Sequence, residues 1–297
     1  MKKKALIAAL LLVGALISAY FALEAYATHR LKEKFDRRIA KLPYQVSYEG
    51  FRYNLLLNDV KITGLEVEDG GIRVKVGEVY IDLPFTLRKK AVPQAFTLKA
   101  KRIELPSTTP FLGELLKTIG YRKNEVVADF TSSYAFKGKE LSVGVALEAK
   151  NLGAIKTKGE LYGIDRELTQ KVFEGRVPPK VFERRGELEE LILTYLDEGL
   201  FKGFLNYLAR QEGESPEKVK EELKKTIEES LRENPEIYER LGKAFIAFID
   251  NPKCLKIKIE PEPPIKLSEL VKAAKERREI DRLLKRINLQ GQVCSGG

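Results

Sequence analysis

The chain has 297 residues, 43% of them hydrophobic and 32% charged, which is enough to form one large or two modest domains with a real core. This composition excludes a wholly disordered chain. The net charge of +10 lies in the first 160 residues, and residues 28–160 alone hold 24 Lys and Arg against 16 Asp and Glu. A solvated β surface explains this excess, and the alternative is a patch that attracts anionic lipid headgroups. Without a recognisable binding motif, we expect no nucleic-acid partner.

An apolar segment opens the chain. Three lysines precede nineteen uncharged residues, Ala5–Leu23, close to the length that a membrane-spanning helix needs. Tyr20, Phe21 and Tyr26 suit an aromatic belt at the far interface. We therefore predict a transmembrane signal-anchor over residues 1–27. The alternative is a signal peptide that is cleaved after Ala27.

The next segment, residues 28–42, is predicted to be a juxtamembrane helix that continues the anchor. Its basic residues make the orientation ambiguous, because a count of flanking charges puts the body in the cytoplasm. A short Lys-rich start before an apolar stretch is nevertheless typical of an export signal. We expect a single pass through the membrane, with the N-terminus inside and the body outside the cytoplasm.

Residues 43–164 alternate between apolar and polar positions in short runs, which predicts a curved antiparallel β-sheet domain of about seven strands. Three of these runs change phase at similar places, at Gly64, at Gly77 and at Lys101-Arg102. Such slips predict aligned β-bulges and a strongly bent sheet. A bent sheet has a concave apolar face, which must be filled by the protein's own helices or by a ligand.

The same region carries a family resemblance. The segments YQVSYEGFRYNLLLNDVKITGLEV (44–67), GGIRVKVGEVYIDLP (70–84) and FTLKAKRIELP (96–106) resemble the opening of AsmA-like bacterial envelope proteins. The resemblance covers roughly residues 1–165. It implies inner-membrane anchoring, a periplasmic body with a β groove, and a role in lipid movement or outer-membrane maintenance. The chain is shorter than the larger members and has a helical block where they continue to add strands.

Residues 165–297 are predicted to be a helical block closed by a β-hairpin-like pair. The apolar residues Leu188, Leu191, Ile192, Tyr195, Leu196, Phe201, Phe204, Leu205 and Leu208 recur at helical spacing. Ser215-Pro216 and Asn234-Pro235 are helix starts, and a final helix is expected from Ser268 to about Lys285. These amphipathic faces either complete the core over the sheet or line an apolar pocket.

The two cysteines, Cys254 and Cys294, each lie in a short alternating run. If the runs pair antiparallel so that Leu255 meets Val293 and Ile259 meets Leu289, then Cys254 meets Cys294. We therefore predict a disulfide, which implies an oxidising compartment. Two free thiols are the alternative.

The chemistry of common active sites is missing. With one histidine, His29, at the expected membrane edge, the chain has no Ser-His-Asp or Cys-His device, and we expect no metal site and no cofactor. The 43 carboxylates could hide a glycosidase-like pair, but helical faces explain most of those in the second half, and we predict a non-enzymatic protein.

The pattern predicts an α+β protein, and the resemblance to AsmA-like proteins implies that it binds or passes lipid, a phospholipid or another acyl-chain ligand, along the concave sheet face. The residues expected to line that face are Val60, Ile62, Val74, Val76, Phe96, Leu98, Phe130 and Tyr134. The alternative is an envelope scaffold or assembly factor that binds protein partners through its helical block.

Overall fold

The computed structural model describes the backbone of residues 2–82, 91–107, 109, 112–232, 237–276, 283 and 286–294, and side chains from Ser18 onward. Over these residues the protein is α+β, as predicted, with one open antiparallel sheet of twelve strands. The strands are β1 (Gln45–Ser47), β2 (Gly50–Asn54), β3 (Asp59–Asp69), β4 (Ile72–Asp82), β5 (Ala95–Pro106), β6 (Glu125–Lys137), β7 (Glu140–Ala149), β8 (Gly153–Tyr162), β9 (Glu187–Asp197), β10 (Cys254–Ile259), β11 (Ile265–Lys266) and β12 (Leu289–Val293).

The strands follow one another in space almost as they do in sequence. The order is β1-β3-β4-β5-β6-β7-β8-β9-β10-β12, while β2 pairs with β3 and β11 pairs with β9. The predicted meander is therefore confirmed from β3 to β8, because short turns between alternating runs favour antiparallel neighbours.

Eight α-helices are found in the described parts of the chain. They are α1 (Lys2–Ile39), α2 (Leu112–Thr118), α3 (Arg166–Phe173), α4 (Lys180–Arg185), α5 (Leu200–Glu212), α6 (Pro216–Leu231), α7 (Lys243–Asp250) and α8 (Leu267–Lys275), and a π-helical turn, Tyr238–Gly242, leads into α7. The predicted start of α6 is confirmed: the Ser215 side chain accepts a hydrogen bond from the N–H of Lys218, and Pro216 opens the helix. The predicted start at Asn234-Pro235 lies outside the described residues.

The three phase slips lie side by side in the sheet. β3, β4 and β5 keep one register, which places Gly64 opposite Gly77 and Gly77 opposite Arg102. Gly64 has a φ of 59° and Arg102 a φ of 54°, so the backbone at both positions is left-handed. A shift in register occurs beside them, between β5 and β6. The predicted alignment is confirmed, but among β3, β4 and β5 only β5 has a shift in strand pairing, where it meets β6.

Residues 188–196 depart from the prediction. Their apolar side chains recur at helical spacing, yet they form β9, which pairs with β8 and β10. The helical prediction is wrong here because β9 is apolar on both faces. Leu193 and Tyr195 lie on one face, while Ile192 and Leu196 lie on the other. The sequence therefore lacks the alternation of apolar and polar residues that indicates a strand.

The C-terminal pair is present in the predicted register. Leu255 faces Val293 and Ile259 faces Leu289, and a disulfide joins Cys254 to Cys294, whose Cα atoms are 5.3 Å apart. The pair is not a separate closing element, however, because β10 also pairs with β9 and so extends the main sheet. The predicted last helix ends earlier, at Lys275, and most of residues 277–285 lie outside the described part.

The predicted juxtamembrane helix is the second half of α1, which runs without a break to Ile39. Among the described residues, no helix has the length and apolarity needed to cross a bilayer. The predicted anchor lies mostly in residues 1–17, whose side chains are outside the described part.

Candidate functional site

One face of the sheet is apolar from β3 to β12. The register carries this face from strand to strand, for example from Phe130 to Leu147 and on to Ile155 and Tyr195. Side chains of one strand alternate between the two faces, so each apolar run contributes every second residue here. Such a face must be covered or must expose apolar surface to its surroundings.

Helix α1 covers the β2–β4 end of this face. Ala27, Leu31 and Phe35 pack against a buried cluster that contains Val60 and Ile62, which are 3% and 1% exposed. The other end, β9–β12, is covered by α5, α7 and α8. The Phe201 and Phe248 rings of α5 and α7 lie 5.1 Å apart over Tyr195 and Leu255.

The strand ends are covered as well. At one end Leu116 and Ile119, at and just beyond the end of α2, pack against Val126 of β6. At the other end Val92 and Phe182, from the loop before β5 and from α4, pack around Phe136. The apolar face is therefore bordered on all four sides by the chain's own elements.

The centre of the face is left uncovered by the described residues. Val145, Leu147 and Ile155 are 45%, 44% and 48% exposed, although each belongs to the same apolar face as the buried core. We name this uncovered area the apolar floor; it consists of Phe96, Phe130, Tyr134, Val143, Val145, Leu147, Ile155 and Leu193.

Little polarity interrupts the apolar floor. The Phe96 and Tyr134 rings stack with their centroids 5.7 Å apart at one end of it. Burial raises the pKa of the Tyr134 phenol, and the nearby Arg166 partly opposes this effect. Ser132 and Thr157 contribute the hydroxyl groups on this part of the face. The floor is suited to hydrocarbon rather than to a charged ligand.

The opposite face of the same strands is polar. Lys156 pairs with Glu148 at 2.7 Å, and Lys61 pairs with Glu78 at 2.6 Å. Several of the basic residues that produce the charge excess are thus held by neighbouring carboxylates, which favours a solvated surface over a free cationic patch. The exposed aliphatic side chains of β7 and β8, Val145, Leu147 and Ile155, all lie on the other side of the sheet.

A polar hollow of about 290 Å³ marks the line of phase slips on that opposite face. The side chain of Glu49 lies over Gly64, and that of Arg102 lies over Gly77, where a Cβ atom would meet them at 2.4 and 2.5 Å. Arg102 also approaches Glu104 at 3.9 Å. In the described part of the chain, no group of three or more His, Cys, Asp or Glu is placed to hold a metal ion.

The residues predicted to line the concave face divide into two groups. Val60, Ile62 and Val76 are buried in the core beneath α1, and Val74 packs partly against it. They therefore cannot contribute an open surface, because α1 occupies the place that a ligand would need.

The second group lies where the face opens. Phe96, Phe130 and Tyr134 belong to the apolar floor. Leu98 lies at its border and packs against the buried cluster beneath α1. The most exposed floor residues, such as Val145 and Ile155, were not predicted. Their alternating runs, ELSVGVALEAK and GAIKTKG, mark an apolar face but do not indicate that it is uncovered.

The model of a protein family whose description is "Uncharacterized protein" matches residues 146–292, from β7 to β12. A comparison with curated proteins gives no match. The matched stretch includes Leu147, Ile155 and Leu193 of the apolar floor and the helices beside it.

Proposed function

We propose that this protein is a non-enzymatic, membrane-anchored envelope protein that binds lipid acyl chains on the apolar floor and passes lipid along it. The observation that carries the proposal is the exposure of Val145, Leu147 and Ile155 within an otherwise covered apolar face. Each methylene group buried there would contribute roughly 0.8 kcal/mol. The resemblance to AsmA-like proteins favours the same function.

The dimensions suit an extended chain. Neighbouring strands lie about 4.8 Å apart, so the floor from β5 to β9 spans roughly 19 Å. Its walls are α1 on one side and the helices over β9–β12 on the other. A phospholipid would lay its acyl chains on the floor and keep its headgroup in water.

The anchor in this proposal is the first half of α1. As a helix, Ala5–Leu23 extends about 28 Å, near the roughly 30 Å of a bilayer's hydrocarbon core. Glu24 and Ala27 already belong to the contact between α1 and the sheet, through Arg52 and the cluster around Tyr53. Cleavage after Ala27 would remove these contacts, so we propose that the anchor is retained.

The disulfide supports an exported location for the body. A bond between Cys254 and Cys294 persists where the environment is oxidising, which favours the periplasm or the outside over the cytoplasm. We therefore propose inner-membrane anchoring with an exported body.

The test uses two neighbouring residues of β7 that point to opposite faces. Val145→Glu puts a carboxylate on the apolar floor, whereas Ala146→Glu puts the same charge on the polar face. The full-length protein would be purified in mild detergent, and its bound phospholipid would be measured by native mass spectrometry. We expect the wild type and A146E to carry lipid and V145E to carry severalfold less. Equal lipid in the two variants, or none in the wild type, would contradict the proposal.

A second candidate is a scaffold that docks protein partners through its helices. Phe173, at the end of α3, is 79% exposed, and Phe204 of α5 is 40% exposed. A scaffold would lose its partner in the variant Phe173→Glu while V145E retained it. The uncovered floor favours lipid as the main ligand.

A further inference from the structure

We propose that the tip of the β2–β3 hairpin, Leu55–Leu57, inserts into the same bilayer that α1 spans and forms a second membrane contact. This inference rests on the membrane placement in the proposed function, but not on lipid binding by the apolar floor.

The composition of this turn is unusual. Tight turns favour Gly, Asn, Asp, Pro and Ser, yet here three leucines stand between Asn54 and Asn58. Leu56 and Leu57 are 81% and 68% exposed, far more than an ordinary leucine of the fold. Contiguous apolar exposure of this kind marks an interaction site.

The turn holds these leucines outward by its own hydrogen bonds. The Asn54 side chain accepts hydrogen bonds from the N–H groups of Leu56 and Leu57, both at 3.0 Å. Tyr53 donates from its hydroxyl to the Asn58 side chain at 2.5 Å. Asn58 itself has a φ of 52°, a left-handed conformation that asparagine tolerates. The exposure is therefore built into the backbone of the turn.

Helix α1 fixes the depth of the tip. The Thr28 hydroxyl accepts a hydrogen bond from the Tyr53 N–H at 3.1 Å, and one turn earlier Glu24 pairs with Arg52 at 2.8 Å. A further turn toward the N-terminus, the Tyr20 hydroxyl lies beside the backbone of Leu56. The tip is thus level with Tyr20, in the last turns of the uncharged run Ala5–Leu23.

The surface around the tip is apolar on α1 as well. Phe21, Leu23 and Tyr26 are 57%, 59% and 61% exposed. Together with Leu56 and Leu57 they expose apolar side chains near the end of the proposed membrane segment. Aromatic rings at this level are typical of the membrane interface. The occupant that fits apolar side chains on and beside a membrane helix is the bilayer.

Two contacts would orient the sheet where one helix would leave it free to rotate. The register places Asp59, Asp82 and the Phe96–Tyr134 end of the apolar floor at the same ends of the strands as the hairpin tip. Insertion of the tip would hold that end of the floor toward the membrane from which a lipid would come.

Depth-dependent fluorescence tests this inference, because the chain contains no tryptophan and each introduced Trp is a single reporter. Leu56→Trp and Leu57→Trp report on the tip, and Leu12→Trp reports on the middle of the proposed span. Asp69→Trp is the control, at the far end of β3 and roughly 33 Å from Asp59. The full-length variants would be reconstituted into liposomes with and without lipids brominated on the acyl chains.

We expect L12W, L56W and L57W to lose most of their emission to the brominated lipids and D69W to keep it. Quenching of L12W without quenching of L56W and L57W would overturn this inference and leave the anchor intact. If the brominated lipids quenched none of L12W, L56W and L57W, the membrane placement itself would be overturned. Because the leucines are exposed, circular dichroism of each variant is expected to match the wild type.

Discussion

Leu147 on β7 and Ile155 on β8 lie directly opposite each other in the sheet, and each leaves nearly half of its side chain exposed. They share their face with Ile62, which is 1% exposed beneath α1. The same kind of residue on the same face is therefore core at one end of the sheet and open surface in the middle.

This contrast predicts different costs for the same substitution. Ile62→Ala removes buried methylene groups and leaves a cavity, so we expect a loss of about 2–5 kcal/mol in the free energy of unfolding. Ile155→Ala is expected to cost less than about 1 kcal/mol, because half of that side chain is already in solvent. Urea unfolding of both variants without bound lipid measures the difference. Similar losses would mean that Ile155 is covered.

The disulfide predicts a strong dependence on oxidation. Cross-linking two residues 40 positions apart contributes about 3–4 kcal/mol on the loop-entropy model. The double variant C254A/C294A is expected to lose that amount from its free energy of unfolding and therefore to unfold at a lower urea concentration. Alkylation of the wild type before and after reduction, followed by intact mass measurement, should label no thiol and then two. Labelling without reductant would contradict the bond.

The register of this pair could be predicted from the sequence because two constraints agree. Matching Leu255 with Val293 and Ile259 with Leu289 also brings the two cysteines together. For β9 the two constraints conflict. Ile192 and Leu196 add apolar residues to the second face of the strand, and the resulting spacing of apolar residues is that of a helix. The structure resolves this conflict by burying both faces of the strand in part.

Glu189 of β9 predicts a pH dependence. Burial raises the pKa of its carboxyl, and Glu140, Glu160 and Glu187 raise it further. An acid with a raised pKa in the folded state binds its proton more tightly there than in the unfolded chain. Its contribution to stability therefore falls as the pH rises from the pKa of about 4.3 in the unfolded chain through the raised pKa in the folded protein.

The variant Glu189→Gln tests this dependence. We expect E189Q to be more stable than the wild type at neutral pH and the gain to shrink as the pH falls toward about 4. Glu228→Gln, on the exposed side of α6, is the control and is expected to change stability by less than about 0.5 kcal/mol. A gain for E189Q that persists at low pH would show a cause other than its charge.

The pair of Glu24 and Arg52 predicts how α1 is held on the sheet. The Glu24 side chain is 7% exposed, whereas Glu68, the partner of Arg73, is 41% exposed. Arg52→Ala leaves a carboxylate in a poorly solvated place, and Arg73→Ala does not. We expect R52A to lower the Tm more than R73A and to increase hydrogen exchange at Tyr53. Equal effects would contradict a structural role for the Glu24 contact.

The candidate site was harder to predict than the fold. Alternation identifies the apolar face at Val60 and at Val145 equally well, but it contains no information on which part a distant helix covers. That choice depends on α1 packing at one end and on α5 and α7 packing at the other. The hairpin tip was missed for a similar reason, since Leu55–Leu57 resemble part of a buried strand until their turn is known.

Photo-crosslinking from the apolar floor tests the central claim most directly. A photoreactive amino acid would replace Val145 or Ile155 in the full-length protein reconstituted with liposomes, with Ala146 and Lys156 as controls on the opposite face of the same strands. We predict lipid adducts by mass spectrometry at positions 145 and 155 and none at 146 and 156. Adducts at all four positions, or at none, would contradict a lipid-binding floor.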